Sequence, residues 1–359
     1  MALPKLLLVI LDGASARALA EADTPYLDAC GGEFGLKPMT GQAPVPTITY
    51  GNHACIMTGR RAGGPGGHGI VGNLFRDPAS GEILNLDDVP PDQCLEAPSL
   101  FEQLAPLGVR GAAVAEPVTR GSVFSSPMMP YFNLDAMERD TRAADKTLDV
   151  IAQVDPDFIA VNFLSVDAAG ERFGPESDEY MHILYEADLH INALMMTWKK
   201  TVRGPVNLLV TSDHGMHAVN RPVNTDAILR GADVRADVAA SHRAAHIYLR
   251  NRGDLARAMD ALQDSGAFST VLRHENLAPL SLDHPRSGDI FVLAAPGVEL
   301  QKPGLRGSHG ASQPEETEVP IIFAGPDWPD VLKRNQAFMD RPTLSQLAGL
   351  VTDLFRTRR

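Results

Sequence analysis

Val206-Asn207-Leu208-Leu209-Val210-Thr211, followed at once by Ser212-Asp213-His214-Gly215-Met216, is the stretch on which the fold turns. A short, largely apolar run reads as a strand covered on both faces, as strands are under the helices of a parallel sheet. Leu6–Leu11, Ala112–Ala115, Phe158–Leu164 and Val319–Ala324 read the same way. Pro320 puts the last of these at a strand start or near a sheet edge, because proline cannot donate to a ladder. Helical patterns at Ser99–Leu107, Arg142–Val154, Ser177–Lys200 and Thr343–Phe355 alternate with the strands. That alternation predicts an α/β fold with a doubly wound, mostly parallel sheet. Ligands of such sheets sit beyond the carboxyl ends of the strands. Asp12, Asp167 and Asp213 each follow such an end within a few residues, and that shared placement outweighs any one of them.

The stretch 221–305 has a different texture. It combines a helical run at Asp254–Asp264, short strands at His246–Leu249 and Asp289–Leu293, and scattered Pro and Gly. It reads as an inserted cap or lid, leaving residues 1–220 and 306–359 as the core. Residues 63–69, Gly-Gly-Pro-Gly-Gly-His-Gly, read as a loop, and no internal repeat is visible.

The formal net charge of −13 argues against a polyanion-binding surface, since nucleic-acid affinity comes from Lys and Arg neutralising phosphates. It is compatible with a small phosphate ester held by bound cations. Cys30, Cys55 and Cys94 are odd in number and lack metal-site spacing, which fits buried thiols in a reduced compartment. Leu6–Leu11 is too short for the core of a signal peptide, and nothing approaches the roughly 20 apolar residues of a membrane span. A cytoplasmic protein is expected, with no membrane or nucleic-acid polymer as partner.

Thr-Ile-Thr-Tyr-Gly-Asn-His (residues 47–53) sets hydroxyls at the mouth of a predicted helix beginning near Asn52. A helix N-terminus offers oriented N–H groups and positive potential to phosphate oxygens. Thr49 is the candidate nucleophile, with Thr47 as its rival. The ordinary use of such a threonine is to cap the helix. Asp213 and His214 together suit zinc or a similar divalent ion. Asp12, in Leu-Asp-Gly, otherwise reads as a turn residue. Asp167 and Glu171, four apart, can face one metal if the segment turns back on itself; Glu171 is otherwise a solvated loop acid. His309 sits between glycines that permit close backbone approach. Asn73 offers an amide donor for a phosphoryl oxygen, and Tyr50 either lines the pocket or packs. The remaining histidines carry no assignment.

Taken in order, Leu-Asp-Gly, Pro-Thr-Ile-Thr-Tyr-Gly-Asn-His…Thr-Gly, His-Gly-Ile-Val-Gly-Asn, Asp-x-x-Gly-x-x-x-Gly-Pro, Ser-Asp-His-Gly-Met and Gly-Ser-His-Gly resemble the alkaline phosphatase superfamily. The type I phosphodiesterase/nucleotide pyrophosphatase branch is nearest, and phosphonoacetate hydrolase is similar too. The resemblance implies one metal on Asp12, Thr49, Asp213 and His214, and a second on Asp167, Glu171 and His309. It also implies that Asn73 binds phosphoryl oxygens. Glu171 departs from the pattern, which has His there. The resemblance implies two divalent ions, zinc first, with manganese, iron or magnesium as alternatives because Glu171 replaces the usual His. The implied activity is phosphoester hydrolysis through a phospho-threonine intermediate. Substrate classes rank as diester, pyrophosphate, monoester and phosphonate.

Phosphonoacetate hydrolysis ranks second because that family holds the substrate carboxylate with lysines, whereas Ala115–Arg120 offers only Arg120. A phosphate mutase is a further alternative, disfavoured by chain length and by a Thr in place of Ser. A binding protein that lost its metal through Glu171 is another.

Overall fold

The computed structural model describes residues 3–30, 32, 36–300 and 302–356. Its centre is a seven-stranded sheet in the spatial order Met39–Gln42, Glu318–Ala324, Val206–Thr211, Lys5–Leu11, Phe158–Phe163, Gly111–Glu116, Phe124–Pro127. The Lys5–Leu11 strand pairs in parallel with Phe158–Phe163 on one side and Val206–Thr211 on the other. Gly111–Glu116 and Phe124–Pro127 extend the parallel set. Glu318–Ala324 runs antiparallel to both of its neighbours. The five strands expected from their apolar runs all lie in this sheet; the two edge strands carry too little apolar sequence to have been read.

Pro320 sits second from the edge. The ladder to Val206–Thr211 covers only Ile321–Ala324, so Pro320 faces the short edge strand at Thr40 and disturbs no central pairing.

Every residue of Gly111–Glu116, Phe158–Phe163 and Val206–Thr211 is buried, as layers on both faces require. The long helix Asp178–Thr201 is one covering layer. Ser177 caps it through its hydroxyl, Asp178 and Glu179 stand at its positive end, and Lys199 and Lys200 at its negative end.

A second sheet, four-stranded and antiparallel, runs Ala236–Ser241, Ala244–Leu249, Ile290–Ala294, Phe268–Arg273 in space. The helix Leu255–Asp264 packs on it, and a separate apolar cluster that includes Leu229, Ile247, Leu262 and Val292 lies within it. This sheet falls inside 221–305. Among the described residues, no helix is long and apolar enough to cross a membrane.

Candidate active site

Three adjacent strands deliver three aspartates to one edge of the main sheet. Lys5–Leu11 ends into Asp12, Val206–Thr211 into Asp213, and Phe158–Phe163 into the helix Ser165–Phe173 that carries Asp167. Parallel neighbours lie about 4.8 Å apart, so carboxylates leaving adjacent strand ends come within reach of a shared cation. Gly13, at φ +79°, makes the tight exit: a Cβ there would stand 2.8 Å from the Asp167 Cα.

The helix Thr49–Thr58 starts earlier than its sequence suggests, so Thr49 is its first residue. Ile48 occupies the capping position, without a side-chain cap. The Thr49 hydroxyl is thus free of capping and lies 3.3 Å from His214 Nε2. Thr47 differs. Its hydroxyl is fully buried, donates toward Ala311 O and Glu316 Oε2, each at 3.0 Å, and accepts from Gly310 N at 2.9 Å. Those bonds brace the His309 loop.

The imidazoles are held in defined tautomers. His309 Nδ1 donates to Thr47 O at 2.8 Å, and His214 Nδ1 to Gly215 O at 3.0 Å, which leaves a bare Nε2 on each ring. The two rings stack at 3.6 Å. His214 Nε2 lies 3.1 Å from Asp213 Oδ2 and 3.6 Å from Asp12 Oδ1. His309 Nε2 lies 3.7 Å from Asp167 Oδ1. Asp167 and Glu171 sit one turn apart on the helix Ser165–Phe173, a regular element where the sequence suggested a loop. Both line one cavity of about 520 Å³ together with Asp12, Thr49, Tyr50, Asn73 and His309. Asn73 is held there by two bonds: its Oδ1 accepts from Tyr50 N at 3.2 Å and its own N–H donates to Ser241 Oγ at 2.9 Å. Tyr50 lines the cavity while its hydroxyl donates to Asp87 at 2.7 Å.

Burial dominates the electrostatics. It raises the proton affinity of Asp12, and the Asp213 and Asp167 carboxylates raise it further. It raises that of Asp167 as well, and lifts the Glu171 carboxyl to about 8 with help from Asp167. His309 is pushed well below the usual imidazole value by burial and by His214 and His242. Among the described residues, Asp12 Oδ1, Asp213 Oδ2, Asp167 Oδ1 and Glu171 Oε1 are buried and receive no hydrogen bond. Mutually repelling carboxylates with orphaned oxygens, beside imidazoles whose Nε2 atoms face them, suit divalent cations. Ligand atoms converge within 4.8 Å in the groups Asp12–Asp213–His214, Asp167–His214–His309 and Glu171–His242–His309.

Four participants carried no sequence signal strong enough to be assigned. Asn162 donates to Asp12 Oδ2 at 3.0 Å. His53, one turn after Thr49, pairs its Nδ1 with Glu116 at 2.9 Å, both fully buried. Burial lowers the His53 pKa, but the Glu116 and Asp213 carboxylates raise it and the net direction is upward. The signals that could have found them are the i, i+4 spacing of His53 from Thr49 and the place of Glu116 as the last residue of its strand. His242 occupies the hairpin turn between the strands Ala236–Ser241 and Ala244–Leu249, where nothing local marks it. Arg120, the sole cation expected for a substrate carboxylate, is engaged elsewhere: it binds Glu102, Leu95 O and Ala97 O and does not line the cavity.

The family model of the type I phosphodiesterase/nucleotide pyrophosphatases matches residues 6–312. The chain belongs to this family. An uncharacterised pyrophosphatase/phosphodiesterase of Schizosaccharomyces pombe is 30% identical over 184 residues, covering 48% of the chain and 36% of that protein. The chain therefore spans about a third of that curated relative and about half of others. The fold matches an inactive variant of murine ectonucleotide pyrophosphatase/phosphodiesterase 5 in complex with AMP, with TM-score 0.80, 21% identity, and 98% and 95% of the two chains covered. It also matches phosphonoacetate hydrolase from Sinorhizobium meliloti in complex with phosphonoformate, with TM-score 0.71, 19% identity and 89% of each chain covered.

Proposed function

We propose that the chain is a metal-dependent phosphoester hydrolase, acting on small phosphodiesters or pyrophosphates with Thr49 as nucleophile. The observation that carries this reading is the Thr49 hydroxyl at a helix N-terminus, uncapped and 3.3 Å from His214 Nε2, opening into a cavity lined with buried orphan carboxylates. Two divalent cations, zinc first among the candidates, would be held by Asp12, Thr49, Asp213 and His214 and by Asp167, Glu171 and His309. Bound there, they would supply the positive charge that acidifies the hydroxyl and offsets charge on the phosphoryl oxygens.

The chain's own groups account for the rest. Thr49 Oγ1 attacks phosphorus as the bond to the leaving oxygen breaks, giving a phospho-threonine. Water then attacks that phosphorus and restores the hydroxyl. With its Oδ1 occupied by Tyr50 N, Asn73 offers its Nδ2 donors to a non-bridging oxygen, and the N-terminal amides of the helix Thr49–Thr58 add to the same field. His214 and His309 keep their Nε2 lone pairs turned inward because their Nδ1 protons are engaged.

Residues 221–305 would act as a cap over a core formed by 1–220 and 306–359. The AMP held by the murine relative supports nucleotide-derived substrates over nucleic-acid polymers. Phosphonoacetate ranks below them: Arg120 is engaged outside the cavity, and a carboxylate would have to be met by Arg139, Arg172 or Lys302, which line it. Three buried cysteines, odd in number and without metal-site spacing, support a reducing, cytoplasmic location.

A panel of bis-p-nitrophenyl phosphate, a dinucleoside polyphosphate, an aryl monoester and phosphonoacetate, each with zinc, manganese or magnesium, tests the reading. Metal-dependent turnover of the first two, abolished in Thr49→Ala, is expected. Wild-type rates in Thr49→Ala, or no turnover with any metal, would overturn it.

A further inference from the structure

We infer that His242, at the turn of the inserted sheet's first hairpin, is a direct ligand of the second cation site, completing a set with Asp167, Glu171 and His309. The inference rests on the two-cation reading above and adds a ligand from a separate sheet, remote in sequence from all the others.

Geometry carries it. His242 Nδ1 lies 3.2 Å from Glu171 Oε1, and the His242 and His309 rings stand 4.2 Å apart, tilted by 33°. One ligand atom each from Glu171, His242 and His309 falls within 4.8 Å of the others. Among the described residues, Glu171 Oε1 is buried and accepts no hydrogen bond. Asp167, Glu171, His242 and His309 each line the cavity. Two carboxylates and two imidazoles around one dication make a neutral, mixed N/O site of the kind zinc, manganese or iron accepts.

The backbone supports the same assignment. His242 has φ +53°, a left-handed conformation that Asn or Gly adopts more readily. The residues beside it are fastened to the site itself. Ser241 Oγ accepts from Asn73 N and Leu74 N, and Arg243 N donates to His309 O at 2.9 Å. The turn is therefore held between the Asn73 loop and the His309 loop, with the imidazole delivered between Glu171 and His309.

The test uses the full chain, stripped with chelator and titrated with Zn²⁺ against a chromophoric competitor, and separately loaded with Mn²⁺ for pulsed EPR. His242→Asn and His242→Gly both suit the left-handed turn, and thermal melting of the metal-free proteins checks their folding. The wild type should bind two ions. Both variants should keep one at unchanged affinity and bind the other at least about tenfold more weakly. The weak-nitrogen modulation from bound imidazole in the Mn²⁺ spectrum should fall in both. Two ions at wild-type affinity in folded His242→Asn and His242→Gly would overturn the ligand while leaving the two-cation reading intact. A wild type that binds fewer than two ions would overturn both.

Discussion

Thr47 and Thr49 stand two residues apart and face opposite fates on losing a hydroxyl. In Thr47→Val the shape is kept but three buried contacts go: the donor bond shared by Ala311 O and Glu316 Oε2, and the acceptor for Gly310 N. A buried N–H left without an acceptor costs about 1–3 kcal/mol, and a bond to a charged partner contributes a similar amount. The loss should come to about 2–4 kcal/mol. For a chain of 359 residues, with about 2.1 cal/mol/K of unfolding entropy per residue, that lowers Tm by roughly 3–5 °C. Thr49→Val removes one 3.3 Å contact at a partly exposed position, so its stability should change by less than about 1 kcal/mol. Rates should divide the other way. Thr49→Val should lower kcat on bis-p-nitrophenyl phosphate by about 10³-fold or more, as removal of a nucleophile does, while Thr47→Val stays within about threefold of wild type. Calorimetry and initial rates on the two purified variants settle it. A stable but inactive Thr47→Val beside an active Thr49→Val would refute the reasoning by exchanging the two roles.

Arg243 is fully buried against the equally buried Glu316 carboxylate, and its Nε and Nη2 donate to Val298 O and Ala295 O. Arg243→Met should cost about 3–5 kcal/mol in urea unfolding by stranding that carboxylate, and adding Glu316→Gln should recover part of it. His246 accepts from Gly288 N on Nδ1 and donates to Val71 O from Nε2, so a second ring proton has no acceptor to meet. Burial holds its pKa down to about 4 against 6.5 when unfolded. The unfolded state binds the proton first, so this stability is complete above pH 6.5 and is lost as the pH falls from about 6.5 toward 4, by roughly 3 kcal/mol in all. His246→Gln, which keeps one acceptor and one donor, should flatten the pH dependence of unfolding over that interval; an unchanged slope would show that other groups produce it.

The carboxylates were legible because a parallel strand buried on both faces is an uninterrupted apolar run, and the first acid after it is conspicuous. Asp12, Asp167 and Asp213 follow from that local signal. Their convergence needed one fact the linear sequence does not carry, that Lys5–Leu11 lies between the other two strands. The helix that carries Glu171 has a weak signal in sequence, because Gly170 disfavours helix. Packing overrides it: a Cβ at Gly170 would lie 2.8 Å from Met216 Cε, so glycine is what lets this helix approach the Asp213 loop. The edge strands Met39–Gln42 and Phe124–Pro127 are short and polar, and pairing with a neighbour is all that makes them strands.

His242 was illegible for a different reason, and that reason bears on how the molecule is divided. A cap that merely covered a finished site would be separable from it. Here the inserted sheet is tied into the site's own loops: Ser241 to Asn73 and Leu74, His246 to Val71, Arg243 to His309 O and to Glu316. Glu316 in turn holds Thr47, and Thr47 O fixes the tautomer of His309. The chain of bonds from the hairpin to the His309 imidazole is thus buried throughout and passes through a charged pair, the kind of contact that is costly to break on one side only. Excising 221–305 would remove Arg243, leave Glu316 charged and uncompensated, and free the loop that orients His309. The sheet within 221–305 is thus bonded directly to the loops that carry Asn73 and His309, so the region proposed as a cap also helps to hold the site it would cover.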